Sequence, residues 1–260
     1  MKHNSVKTSK EWDRMAEQHI ESFYNLYPRY GVKIKQILEK YEANPMRILE
    51  VAAFSAKDSR YLASEFPDCQ FYTVDLSQKA IDRTRKVNAE VGLKNLYTLR
   101  ANAFTLPLKD ESFDVSFHAD FYVYFQNSDI LRLFKEQKRV TKNLIVIFVH
   151  HKYNAYRLLF WYWAKIKKEP WYEIRAYSLK ELKNMFADEE VVTSGGVDSY
   201  ARNLVNTVGK GFIGRPLCPK FLRDIINKIE LLRKPIFWEI IYIVIKVGNK
   251  EKPRNEAKEH

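Results

Sequence analysis

Glycine is scarce in this chain: there are 8 in 260 residues, and none lies between Glu50 and Asp75. Cysteine is scarcer still. Cys69 and Cys218 are too few for a disulfide framework, so a reducing, cytoplasmic setting is expected. Met1 to Asp13 is polar and lacks the apolar stretch of a secretory signal. The longest apolar run, Ile236 to Val247, is interrupted by Glu239 and Lys246 and falls short of the roughly 20 residues that span a bilayer. No internal repeat or low-complexity block is present. His150-His151 lacks a third ligand at telling spacing, so no metal is expected.

Against these absences stands one dense stretch. Arg47 to Ala56 is an apolar run with a carboxylate, Glu50, followed by small residues, and Phe71-Tyr72-Thr73-Val74-Asp75 is a second apolar run ending in an acid. Lys57 to Phe66 between them has helical spacing. Strand, tight turn, helix, strand and acid make a nucleotide-binding βαβ unit, in which Asp75 can accept both ribose hydroxyls of an adenosine and turn amides face the ligand. An alternative role for Asp75 is to cap the following helix, and for Glu50 to fix the turn.

Further along, Ser77 caps a helix from Gln78 to Val91 that stops at Gly92. Strands are expected at Leu96 to Arg100, Phe113 to Phe117, Leu144 to Val149, from Glu190, and over Phe237 to Val247, with helices over Ser128 to Val140, Ser178 to Phe186 and Lys220 to Arg233. Glu11 to Tyr41 reads as two helical segments broken near Tyr27-Pro28. This alternation predicts an α/β fold: a Rossmann-like, doubly wound, seven-stranded sheet, mostly parallel with an antiparallel last strand. The expected organisation is an N-terminal helical cap (1–45), a cofactor-binding core (46–150), an aromatic-rich lid and C-terminal part of the same domain (151–248), and a disordered charged tail (249–260).

These motifs resemble the class I S-adenosylmethionine-dependent methyltransferases, particularly the small-molecule group often labelled type 11. The likeness covers roughly Trp12 to Phe148, and its most specific part is Leu106-Pro107 through Ser112-Phe113-Asp114-Val115. It implies S-adenosylmethionine as cofactor, held by Glu50, Ala52, Phe54, Ala56, Asp75, Leu76, Asn102, Ala103, Phe104 and His118. Aligned on Glu50, the family's three glycines fall on Ala52, Phe54 and Ala56, so the first motif is glycine-poor. Phe54 is expected to face away from the methionine site and pack on the N-terminal helices around Trp12 and Tyr24.

His118 or Asp120 follows the fourth strand and can serve as general base for a hydroxyl acceptor; a neutral nitrogen acceptor needs little such help. Tyr122, Tyr124, Tyr153, Tyr156 and Phe160 are candidates for the acceptor pocket, and His150 to Tyr177 for a mobile cover over it. The acceptor is expected to be a small molecule or lipid- or sugar-linked, with peripheral membrane contact possible through the aromatic segment and Lys165-Lys167-Lys168. The net charge of +12 is spread widely and no RNA-binding motif accompanies it, so no nucleic acid partner is expected. The rival reading is a methyltransferase-like fold that no longer catalyses and serves as a binding or scaffold protein. Oligomeric state is not legible.

Overall fold

The computed structural model describes residues 8–24, 28, 30–41, 46–154, 166, 174–199 and 238–248. At the N-terminus three helical segments replace the two expected: α1 (Ser9–Gln18), α2 (Glu21–Tyr24) and α3 (Gly31–Lys40). Thr8 and Glu11 form a reciprocal capping box that fixes the start of α1. The chain then alternates β1 (Arg47–Val51), α4 (Lys57–Glu65), β2 (Gln70–Asp75), α5 (Gln78–Glu90), β3 (Leu96–Arg100) and β4 (Phe113–Ala119). After one 3-10 turn, Tyr122–Tyr124, come α6 (Asn127–Val140), β5 (Thr141–His150), α7 (Leu179–Met185), β6 (Glu190–Ser199) and β7 (Trp238–Lys246).

The sheet order is β3-β2-β1-β4-β5-β7-β6. Strands β1 to β5 pair in parallel, and β7 inserts antiparallel between β5 and β6. Apolar side chains on both faces explain why the sheet is covered twice. Along β5, Val146 and Phe148 join a core with Ile34 and Leu38 of α3 and Leu62 of α4. Ile145, Ile147 and Val149 alternate to the opposite face, against Ile130, Leu133 and Phe134 of α6 and Leu182 of α7. β7 repeats the pattern: Ile240 and Val244 serve the first core, Ile241, Ile243 and Ile245 the second. At the start of β7, the Trp238 ring lies 1.9 Å from where a Cβ on Gly196 would stand, so β6 needs glycine there.

Two details set the site's frame. The carboxylate of Asp114 accepts from the amides of Met46 and Arg47, both at 2.9 Å, which locks the start of β1 to β4. Helix α6 passes directly into β5 with no intervening turn, and Thr141 Oγ1 donates to the Gln137 carbonyl at 2.7 Å across the junction. The helix expected over Lys220 to Arg233 and the tail from Asn249 lie outside the described residues.

Candidate functional site

The turn after β1 has the backbone of a glycine-rich loop without its glycines. Ala52, Phe54 and Ala56 take φ values of 55°, 45° and 50°, a left-handed conformation costing an L-residue roughly 1–2 kcal/mol. Neighbouring groups hold it in place. The Ala53 amide donates to the Val74 carbonyl at 3.0 Å, and the Ala56 amide to the Ala53 carbonyl at 2.7 Å. The Phe54 amide donates to Asp75 Oδ2 at 2.9 Å, and the Thr84 hydroxyl to the Phe54 carbonyl at 3.1 Å. Arg60 of α4, itself buried, donates to the carbonyls of Ser55 at 3.0 Å and Phe23 at 3.2 Å, and to Asn88 Oδ1 at 3.0 Å.

Asp75 ends β2 and takes the capping role expected as the alternative to ribose binding. Its Oδ1 accepts from the Ser77 amide at 2.9 Å at the start of α5, while Oδ2 braces the turn. Burial pushes its carboxyl up, opposed by hydrogen bonds from the backbone of Ser77, Phe54 and Leu76. Three backbone donors leave part of the carboxylate's acceptor capacity for a further donor.

Glu50 lies below the turn rather than on the cavity wall, and caps α4: its Oε2 accepts from Ser59 Oγ at 2.5 Å and the Ser59 amide at 3.2 Å. Burial, then the nearby Asp58 carboxylate, push its carboxyl upward. Ala56 likewise forms the N-cap of α4 and is absent from the cavity lining.

A cavity of about 370 Å³ opens at the carboxyl edge of the sheet. Its walls include Ala52, Phe54, Asp75, Leu76, Asn102, Ala103 and Phe104 among the expected cofactor residues, with Asp120 and Tyr124 beyond β4. Asn102 Oδ1 accepts from the Phe104 amide at 3.0 Å, which leaves the side-chain NH2 for another partner. The Phe54 ring packs on Phe23 of α2, centroids 5.2 Å apart, while the residue still borders the cavity. The expected partners differ: Trp12 instead meets Tyr124 edge-on at 5.1 Å.

His118 is set apart from this cavity. It is fully buried, its Nδ1 pairs with Gln137 Oε1 at 3.0 Å, and its ring packs 3.9 Å from that of Tyr122. Burial holds its imidazole down at about 4, so at neutral pH it is an uncharged core side chain. The cause is register: His118 points toward Tyr122 in the sheet's second core, one residue before the strand's end. Tyr122 is buried beside it and is likewise absent from the cavity lining.

Asp120 is different. It lines the cavity, accepts a short hydrogen bond from the Tyr30 hydroxyl, and faces His150 Nε2 at 3.7 Å. Tyr153 is exposed beside His151, and Tyr156 and Phe160 lie outside the described residues. His151 bridges Tyr177, and the Tyr177 amide donates to the His150 carbonyl at 2.9 Å.

Sequence reasoning missed the roof. Trp12, Met15, His19 and Ser22, from α1 and α2 and the residues joining them, line the same cavity. The aromatic density of that segment was the available signal. Among the described residues no group of three or more His, Cys, Asp or Glu could hold a metal, and no helix is long and apolar enough to cross a membrane.

Residues 48–143 match the family model of a methyltransferase domain. No curated protein sequence matches the chain. Among solved structures, a SAM-dependent methyltransferase from Aquifex aeolicus shares 15% identity, with a TM-score of 0.55 over 93% of this chain and 100% of that one. Magnesium protoporphyrin IX methyltransferase from Synechocystis PCC 6803, solved with bound S-adenosylhomocysteine, shares 10% identity, with a TM-score of 0.58 over 94% and 89%. Geranyl diphosphate methyltransferase, in complex with geranyl diphosphate and sinefungin, shares 13%, with a TM-score of 0.52 over 77% and 70%. At such identities these likenesses speak for the fold. Together with the strand order, they show that this chain has the fold of S-adenosylmethionine-dependent methyltransferases, with a methyltransferase-domain match over residues 48–143.

Proposed function

We propose that this chain binds S-adenosylmethionine in the cavity between Asp75 and Asp120 and transfers its methyl group to a small or lipid-linked acceptor. The observation that carries this reading is the coupling of the left-handed turn to the Asp75 carboxylate on the cavity wall. A backbone strained at three positions and braced by a buried acid is a feature that concentrates at functional sites. The cavity volume of about 370 Å³ lies in the range of small-ligand sites.

When bound, S-adenosylmethionine supplies an electrophilic methyl group on a sulfonium. The chain's own residues supply position and dryness. Asp75, on the cavity wall, offers its carboxylate to the ribose hydroxyls. The Asn102 side-chain NH2, with Ala103 and Phe104, flanks the place for the adenine. Trp12, Phe121 and Phe125 form apolar walls that exclude water from the reacting end.

One observation favours the rival, non-catalytic reading: Phe54 occupies cavity wall where the family has glycine. Calorimetric titration with S-adenosylmethionine and S-adenosylhomocysteine separates the two. The expected result is binding by the wild-type chain, weakened about tenfold or more in Asp75→Asn, since a hydrogen bond to a charged group is worth roughly 1.5–3 kcal/mol. Ala103→Trp, which fills the cavity without touching the turn's acid, should abolish it. Absence of binding by folded wild-type protein at millimolar ligand would sink the methyl-transfer reading.

A further inference from the structure

Three residues from distant parts of the chain converge beyond the end of β4. Tyr30, just before α3, donates its hydroxyl to Asp120 Oδ2, and its ring packs on Phe148 of β5 at 5.1 Å. His150 ends β5 and brings Nε2 to 3.7 Å from Asp120 Oδ1, a buried atom with no hydrogen bond among the described residues. Asp120 itself is turned to this point by a left-handed backbone, φ 52°, with its amide donating to the Phe148 carbonyl at 3.0 Å.

Asp120 and Asp75 are the two carboxylates on the cavity wall among the described residues. They follow β4 and β2, with β1 between those strands, which separates them by two strand spacings, about 10 Å. If Asp75 addresses the ribose, as the reading above has it, Asp120 stands toward the reacting end. The surroundings there are aromatic: Trp12, Phe121, Tyr124 and Phe125. Tyr124 is pushed up to about 12 by burial and by the Asp120 charge, so it remains a neutral donor beside the acid. The titratable groups facing Asp120 from the elements around it are Tyr30, His118, Tyr124 and His150.

We infer that Asp120 is the general base for a hydroxyl carried by a ring-bearing, apolar acceptor, and that His150 passes the proton from Asp120 to solvent. The inference rests on the methyl-transfer reading and names its acceptor class. In the step, the acceptor oxygen bonds to the methyl carbon while the methyl–sulfur bond breaks and its electron pair stays on sulfur. The hydroxyl proton goes to the Asp120 carboxylate and leaves it from Oδ1 to the His150 imidazole, so the positive charge lost at sulfur reappears on the released proton. The hydrogen bond from Tyr30 aims Asp120 before the step. A neutral amine would need no such base.

The test uses the full chain, with naphthol and naphthylamine as matched probes and S-adenosylhomocysteine formation as the rate. Methylation of naphthol over naphthylamine is expected, with a rate that rises with pH through one ionisation. Asp120→Asn should lose about 100-fold or more in kcat, and His150→Gln about tenfold together with the pH-dependent limb, within the usual span of general base catalysis. S-adenosylhomocysteine affinity by calorimetry should stay within about twofold in both, as this product has no sulfonium charge and neither residue touches the Asp75 end. An imidazole NMR titration gives a readout independent of turnover: His150 should ionise at lower pH in Asp120→Asn, where its carboxylate partner is gone. Tyr30→Phe, which keeps the ring packing, should show an intermediate loss of rate. Preference for naphthylamine, turnover of neither probe by cofactor-loaded protein, unchanged rate in Asp120→Asn, or identical His150 titrations would each overturn the relay. Failure of the wild type to bind cofactor would instead overturn the reading beneath it.

Discussion

Ala52, Phe54 and Ala56 hold a conformation that glycine would take without strain, and they are not equivalent. Ala56 is buried and its methyl group contributes little that glycine would lack. Ala56→Gly relieves left-handed strain of about 1–2 kcal/mol and returns part of it as unfolded-state entropy. A net gain of up to about 1 kcal/mol is expected in urea melts. A loss of stability there would mean the Ala56 backbone is not strained. Phe54 differs because its ring is anchored on Phe23, so removing it trades strain against packing.

His118 gives a second residue-scale expectation. Its native ionisation is held near 4 by burial, against an ordinary value of 6.5. As pH falls below 6.5 the unfolded chain binds a proton that the native imidazole refuses, so stability is lost between about 6.5 and 4. The loss attributable to this group is about 3 kcal/mol. Denaturant melts at several pH values, compared between wild type and His118→Gln, should show that part of the acid dependence vanish in the variant. Equal acid sensitivity in both would contradict the buried neutral assignment. The alternation of strand side chains could have flagged His118 as inward, because Val115 and Phe117 fix the opposite face. Its position near a strand end suggested a ligand instead.

Among the elements, α4 is the keystone of the turn. Arg60 ties the Ser55 carbonyl, the α2 carbonyl of Phe23 and Asn88 of α5 to one buried guanidinium. Burial lowers its ionisation and the Glu50 charge opposes that. Arg60→Met would leave three buried acceptors without a donor, at roughly 3 kcal/mol or more. It should also loosen the turn, so S-adenosylhomocysteine affinity should fall along with the melting temperature. A variant of unchanged stability and affinity would show that the turn stands without this clamp. Strand and helix identities were legible from period and caps: β3 coincides with its expected span, and Ser178 with Glu181 makes the capping box that starts α7. The left-handed turn was not, because glycine is the usual flag for that backbone and this chain omits it. Nor were the roof residues, since Trp12 and Met15 become neighbours of Asp75 only when α1 docks on α5.

At the scale of the molecule, the sheet sorts the chemistry by strand order. Its carboxyl edge carries Asp75 after β2, the turn after β1, and Asp120 after β4, so a single cavity meets all three. The Tyr30, Asp120 and His150 convergence could not be read from spacing, because it joins segments 90 and 30 residues apart that only the fold brings together. The central claim is that a glycine-free turn still cradles a nucleoside cofactor. A crystal structure of the protein grown with S-adenosylhomocysteine tests it most directly. The account predicts ribose hydroxyls on Asp75, adenine beside Asn102 to Phe104, and the Phe54 ring still on Phe23. Ligand absent from that cavity, with the Phe54 ring turned into it, would contradict the account.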